Sequence, residues 1–120
     1  MKLAITAKTE NRNDAVDPRF GRCRYFIIID TETDETEVIN NTMNVNAAQG
    51  AGIQSAQNLI NSGAEAIVTG HVGPKAFRTL SAGGIKIFTG AQGTIEDALK
   101  AWKENKLEKA SQADVEGHWI

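Results

Sequence analysis

The chain has 120 residues, 41% of them hydrophobic, with 13 Lys and Arg against 15 Asp and Glu for a net charge of −2. That size suits one domain that buries a core without disulfides or a structural metal, and the acidic balance argues against a nucleic-acid partner. A single cysteine, Cys23, excludes an internal disulfide and a four-thiolate zinc or iron–sulfur site.

Leu3, Ile5 and Ala7 alternate with Lys2, Ala4 and Thr6, the period-2 pattern of a first strand. The chain turns polar after Ala7, ahead of any signal-peptide core, and has no apolar run of about 18 residues. A soluble cytoplasmic protein without a membrane partner is expected. A polar loop from Lys8 to Arg22 leads to Tyr25-Phe26-Ile27-Ile28-Ile29, a β-branched and aromatic run too short for a helix. Thr31 to Thr36 turns the chain, and Glu37-Val38-Ile39 returns as a third strand, so 24–40 reads as a hairpin. Asn40 to Gly52 reads as a loop.

The second half changes period. Ile53, Ala56, Gln57 and Ile60 predict a helical face closed by Gly63. Ala66-Ile67-Val68 is a short buried strand. Pro74 opens a second helix with Ala76, Phe77 and Leu80 facing inward, ended by Gly83-Gly84. Ile85 to Phe88 forms the fifth strand. Thr94 with Asp97 three residues on makes a near capping box for a last helix, whose apolar stripe is Ile95, Ala98, Leu99 and Trp102. The predicted order is βββαβαβα: an α/β protein with a five-stranded mixed sheet and helices on both faces. Residues 1–107 form the single domain. Residues 108–120 are set apart as a C-terminal tail. From Trp102 on, the Lys- and Glu-rich run to Gln112 is expected as a frayed helix and the end, DVEGHWI with His118, as extended.

Two groups of residues carry possible chemistry. Ile67-Val68-Thr69-Gly70-His71-Val72-Gly73 and Ile87-Phe88-Thr89-Gly90-Ala91-Gln92-Gly93 share the form strand-TGxxG-helix. Each sets a side-chain-poor loop against a helix N-terminus, whose unpaired N–H groups suit anions. Parallel strands would bring both loops to one edge, where α/β proteins bind ligands. The glycines equally suit a plain tight turn. Lys75, in the first turn of the second helix, opposes the helix dipole unless an anion binds there, or it simply reaches into solvent.

The other group is Asp17-Pro18-Arg19-Phe20-Gly21-Arg22-Cys23-Arg24. Residues 8–24 hold five bases and three acids, a cationic stretch in an acidic chain. Arg19, Arg22 and Arg24 suit multivalent anions and would lower the pKa of the Cys23 thiol. Phe20 is expected to anchor the loop in the core and Gly21 to supply a turn. The opposing reading makes Cys23 a buried small residue and the arginines surface ion pairs. His71 lies on the first TGxxG loop and is a candidate ligand.

The runs DPRFGRCRYFIIID, GAGIQSAQNLINSGAEAIVTG and GPKAFRTLSAGGIKIF resemble the dinitrogenase iron–molybdenum cofactor biosynthesis family, from about Met1 to Leu107. The resemblance implies a ribonuclease H-like three-layer α/β/α fold. It also implies binding or carriage of iron–molybdenum cofactor, its precursors or, in orange-protein-type members, a molybdenum–copper sulfide cluster. A protein donor or acceptor of the cluster would then be a partner. Some members carry a histidine, a proposed cluster ligand, where this chain has Arg19. That departure favours electrostatic, non-covalent holding by Arg19, Phe20, Gly21, Arg22, Arg24, Gly70, His71, Gly73, Lys75, Gly90 and Gly93, with Cys23 or His71 as optional single metal ligand.

A nuclease is not expected, because the first strand has no carboxylate for a two-metal site. No nucleophile elbow or Walker loop is present, so the chain reads as a non-catalytic carrier. A small-anion or nucleotide-binding regulatory domain without a metal cluster is the alternative.

Overall fold

A computed structural model of the chain describes residues 1–44 and 50–111. The strands are β1 (Lys2–Ala7), β2 (Tyr25–Asp30), β3 (Thr36–Asn40), β4 (Ala66–Val68), β5 (Lys86–Thr89) and β6 (Glu108–Lys109). The helices are α1 (Ala51–Asn61), α2 (Pro74–Ala82) and α3 (Ile95–Lys103). They build one mixed sheet in the order β3-β2-β1-β4-β5-β6. The β1–β2 and β2–β3 pairs are antiparallel, β1–β4 and β4–β5 parallel, and β5–β6 antiparallel.

The sheet therefore has six strands rather than five. Phe88 pairs with Lys109 and Thr89 with Glu108, while the Ala110 N–H donates to the Ile87 carbonyl at 2.8 Å. The frayed helix expected beyond Trp102 ends instead at Lys103. Asn105, at φ 56°, reverses the chain, and the open edge of β5 supplies backbone partners that a two-residue strand takes up. What was expected for Asp114, Val115, Glu116 and His118 lies outside the described residues.

Alternation along β1 and β2 sends side chains to both faces, and each face is covered. Ala4, Phe26, Ile28, Ile67 and Ile87 pack with Leu59, Ala76 and Leu80 under α1 and α2. Leu3, Ile5, Ile27, Ile29 and Val68 pack with Ile95, Ala98 and Leu99 under α3. The buried face of α1 is rotated from the predicted one. Gly52, Ser55, Ala56 and Leu59 point inward while Ile53 is 38% exposed. The helix also begins at Ala51, inside the segment read as loop. Two small residues and a serine gave too weak an apolar signal to mark that face.

The topology fixes where chemistry can gather. β1, β4 and β5 run the same way, so their C-terminal ends share one edge. Ala7 opposite Tyr25 and Tyr25 opposite Asn40 put the start of β2 and the end of β3 on that edge too. α1 leads into the far end of β4, and α2 and α3 leave the near ends of β4 and β5. All three helix N-termini therefore face this edge.

Candidate functional site

The loop between β1 and β2 crosses this edge as a strap. Its first half is tied to the second TGxxG loop. Val16 N–H donates to the Gly93 carbonyl at 2.9 Å, and the Asp14 carbonyl accepts from Ile95 N–H at 3.0 Å. Its middle is tied to β1, where the Thr6 hydroxyl donates to the Asp17 carbonyl at 2.6 Å and lies 2.9 Å from the Thr69 hydroxyl. Its second half is tied to the first loop. His71 N–H donates to the Pro18 carbonyl at 2.8 Å, and Phe20 N–H to the His71 carbonyl at 3.3 Å. Gly70 is required for this contact, because a Cβ there would stand 2.7 Å from the Pro18 carbonyl oxygen.

Beyond the strap, a 3-10 turn at Phe20–Arg22 drops Phe20 into the core, fully buried and 5.6 Å ring to ring from Phe26. Phe20 is thus the anchor that the sequence suggested. Gly21 is buried, Arg19 and Arg24 are exposed, and Arg22 is half-buried. Core and surface positions alternate, so the loop holds its arginines outward by burying what lies between them. Asp17 is itself buried and receives the Arg19 N–H at 3.0 Å, closing a turn at the start of the arginine run.

Cys23 departs from expectation. It has no exposed surface, and burial pushes its thiol well above the ordinary value, reinforced by the nearby Asp17 charge and opposed by the Asn41 hydrogen bond. Of the arginines that would have favoured a thiolate, Arg19 and Arg24 are exposed. The lowered pKa expected for Cys23, the optional metal ligand, is corrected to a raised one for a thiol held in the core.

The two TGxxG loops are joined by Gly90 N–H to the Gly70 carbonyl at 3.0 Å, yet the helices they open differ in charge. Gly73 precedes α2 with no side-chain cap and no acid in the first turn, and Lys75 there is exposed. α1 likewise starts at Gly50, φ 77°, without a side-chain cap or a first-turn acid. α3 is closed by a full capping box between Thr94 and Asp97, with Glu96 and Asp97 in its first turn. Gly93 abuts that box, since a Cβ there would meet the Asp97 carboxylate. Arg12, counted with the basic stretch, is engaged elsewhere, with Glu96 and with Asp34 at 3.2 Å.

The structure thus brings Arg19, Arg22, Arg24, Gly70, His71, Gly73 and Lys75 to the edge opened by α1 and α2. It places Gly90 and Gly93 beside the acidic end of α3. Among the described residues, no carboxylate lies within ion-pair reach of Arg19, Arg24 or Lys75. No three His, Cys, Asp or Glu side chains among them gather as a metal chelate, and no helix among them is long and apolar enough to cross a membrane. Arg19, Arg24 and Lys75, beside two helix N-termini that carry no side-chain cap, make a place for an anion of several charges.

Little in the sequence announces the residues beneath the arginines. Asn41, Asn44 and Ser55 are buried polar residues, joined by hydrogen bonds to one another and to the carbonyls of the arginine loop. In sequence the asparagines look like turn formers. The one available signal was a serine on what proved to be the inner face of α1.

Comparison with known proteins places this geometry among relatives. The family model described as dinitrogenase iron-molybdenum cofactor matches residues 1–105. The apo form of the orange protein from Desulfovibrio gigas superposes with a TM-score of 0.91 at 36% identity, over 95% of this chain and 96% of that one. A candidate NifB protein from Thermotoga, solved by NMR, gives a TM-score of 0.84 at 36% identity, covering 97% and 98%. An uncharacterized protein of Methanocaldococcus jannaschii is 36% identical over 112 residues, 91% of each chain.

Proposed function

This chain belongs to the dinitrogenase iron-molybdenum cofactor family, and from that premise we propose that it is a non-catalytic carrier of an anionic metal–sulfur cluster. The cargo contains molybdenum, as a molybdenum–copper sulfide cluster or an iron–molybdenum cofactor precursor. It is received from one cytoplasmic protein and passed to another. The observation that carries the reading is the edge where two uncapped, acid-free helix N-termini meet Arg19, Arg22, Arg24 and Lys75.

A cluster assembled elsewhere arrives with its metals already ligated by sulfide. Its carrier needs charge and hydrogen-bond donors more than a cage of thiolates. In this reading the guanidiniums and the α1 and α2 amides hold the sulfide face, with His71 as an optional single metal ligand. Gly90 and Gly93 shape the neighbouring turn. Strand order and two-sided helix cover accord with a ribonuclease H-like arrangement, but β1 bears no carboxylate for metal-dependent hydrolysis. Membership of a family described by the iron-molybdenum cofactor is what supports a molybdenum cargo.

The test begins with protein purified without oxygen or chelators, by metal analysis and visible absorption, followed by titration with tetrathiomolybdate with and without copper. Growth of sulfide-to-metal bands supports the carrier. Stabilisation by phosphate or ATP with no response to thiomolybdate transfers the site to the regulatory reading. Arg19→Ala with Arg22→Ala should weaken retention by about tenfold or more while the fold persists, because neither arginine is part of the buried core and surface ion pairs add little stability. Unchanged retention in that double variant removes the site assignment. Cys23→Ser should retain the cluster.

A further inference from the structure

Asn41 has no exposed surface, and every hydrogen-bonding position of its side-chain amide is filled. Nδ2 donates to the Cys23 carbonyl at 2.8 Å and to the Ser55 hydroxyl at 2.9 Å. Oδ1 accepts from Asn44 at 2.8 Å and from Asn58 at 2.9 Å. The Asn41 backbone N–H donates to the Arg24 carbonyl at 2.8 Å, and the Ser55 hydroxyl donates to the Gly21 carbonyl at 2.9 Å.

The carbonyls of Gly21, Cys23 and Arg24 are therefore all engaged by Asn41 and Ser55, on the inner side of the arginine loop. A peptide carbonyl is the negative end of a dipole, so one directed outward would repel an anion at close range. We infer that Asn41, acting with Ser55, is a positioning residue of the anion edge. By holding three carbonyls inside, the pair leaves the outer side of the loop to the side chains of Arg22 and Arg24. Ser55 lies in the second turn of α1, so the same bonds fix the N-terminal end of α1 against the loop. A buried polar network with every member satisfied is rigid, and it locks one arrangement of the loop. The inference rests on the anion-carrier reading and deepens it.

The experiment titrates tetrathiomolybdate into the full chain. It compares wild type, Ser55→Ala, the Arg22→Ala/Arg24→Ala pair, and all three substitutions together, each checked by circular dichroism at a temperature where it is folded. Ser55→Ala should weaken binding about three- to tenfold, the range one neutral hydrogen bond supports. The same change should have no further effect once both arginines are gone, since it acts through them. Binding by Ser55→Ala equal to wild type overturns the inference, as does an equal loss in both backgrounds, which is what general loosening of the core produces. Asn58→Ala, at a half-buried donor to Asn41, carries the same expectation at about twofold and serves if Ser55→Ala fails to fold. A wild-type protein that binds no thiomolybdate removes the carrier reading first and the inference with it.

Discussion

The two TGxxG loops look interchangeable in sequence and are opposites in the structure. In the first, Gly70 lets the strap pass within contact distance, Gly73 leaves α2 uncapped, and Lys75 adds positive charge. In the second, Gly90 and Gly93 adopt φ values of 88° and 83°, and Thr94, Glu96 and Asp97 satisfy and neutralise the α3 N-terminus. Shared glycines mark a shared turn between strand and helix. Whether the helix end attracts an anion is decided by the next four residues, PKAF in one case and TIED in the other.

Substitutions in matched positions would sharpen or break this contrast. The largest effect is expected from Gly70→Ala, because its Cβ would be pressed against the Pro18 backbone. A loss of about 2–3 kcal/mol in denaturant unfolding is expected, against roughly 1 kcal/mol for Gly90→Ala, where open space surrounds the site and only the left-handed backbone is strained. Equal losses would mean that the strap does not depend on Gly70. Next comes Lys75→Glu, which gives α2 the acidic first turn that α3 already has. Thiomolybdate affinity should fall about tenfold, or about 1.4 kcal/mol, with the melting temperature nearly unchanged. An unchanged affinity would take the α2 end out of the site.

Thr94→Ala removes the α3 cap and should cost about 1 kcal/mol of stability with no change in anion binding. Weakened binding would show that the second loop takes part after all. The smallest effect concerns pH. The backbone N–H and hydroxyl of Thr94 hold the Asp97 carboxyl below its usual range. Its contribution is therefore full above the ordinary carboxylate pKa near 4 and is lost as pH falls through the lower folded value. Asp97→Asn should flatten that part of the acid-unfolding curve, and an identical acid limb would show that the cap does not form in solution.

Much of the fold was legible because periodicity reports burial directly. β1, β2, β3, α2 and α3 appear where alternation, Pro74 and the Thr94–Asp97 pair place them. Other elements carried no such pattern. β6 is two exposed residues, Glu108 and Lys109, which form a strand only because β5 offers an open edge. The inner face of α1 is made of Gly52, Ser55 and Ala56 with Leu59, too small and too polar to register as an apolar stripe.

The sequence by itself determined the ingredients of the site: three arginines spaced around Phe20 and Cys23, a glycine loop ahead of Pro74 and Lys75, and no carboxylate on β1. These follow from residue type and spacing, which local chemistry reads without knowing the fold. Only the tertiary structure decided which of them meet. Parallel pairing of β1, β4 and β5 gathered three helix N-termini at one edge, and α3 was lost to the site by its own acids. Burial put the Cys23 thiol in the core and raised its pKa, because desolvation penalises the charged form. Hydrogen bonds between residues distant in sequence, Asn41 and Ser55 with Gly21 and Cys23, set the orientation of the arginine loop, and no one-dimensional pattern encodes partners that only folding brings together.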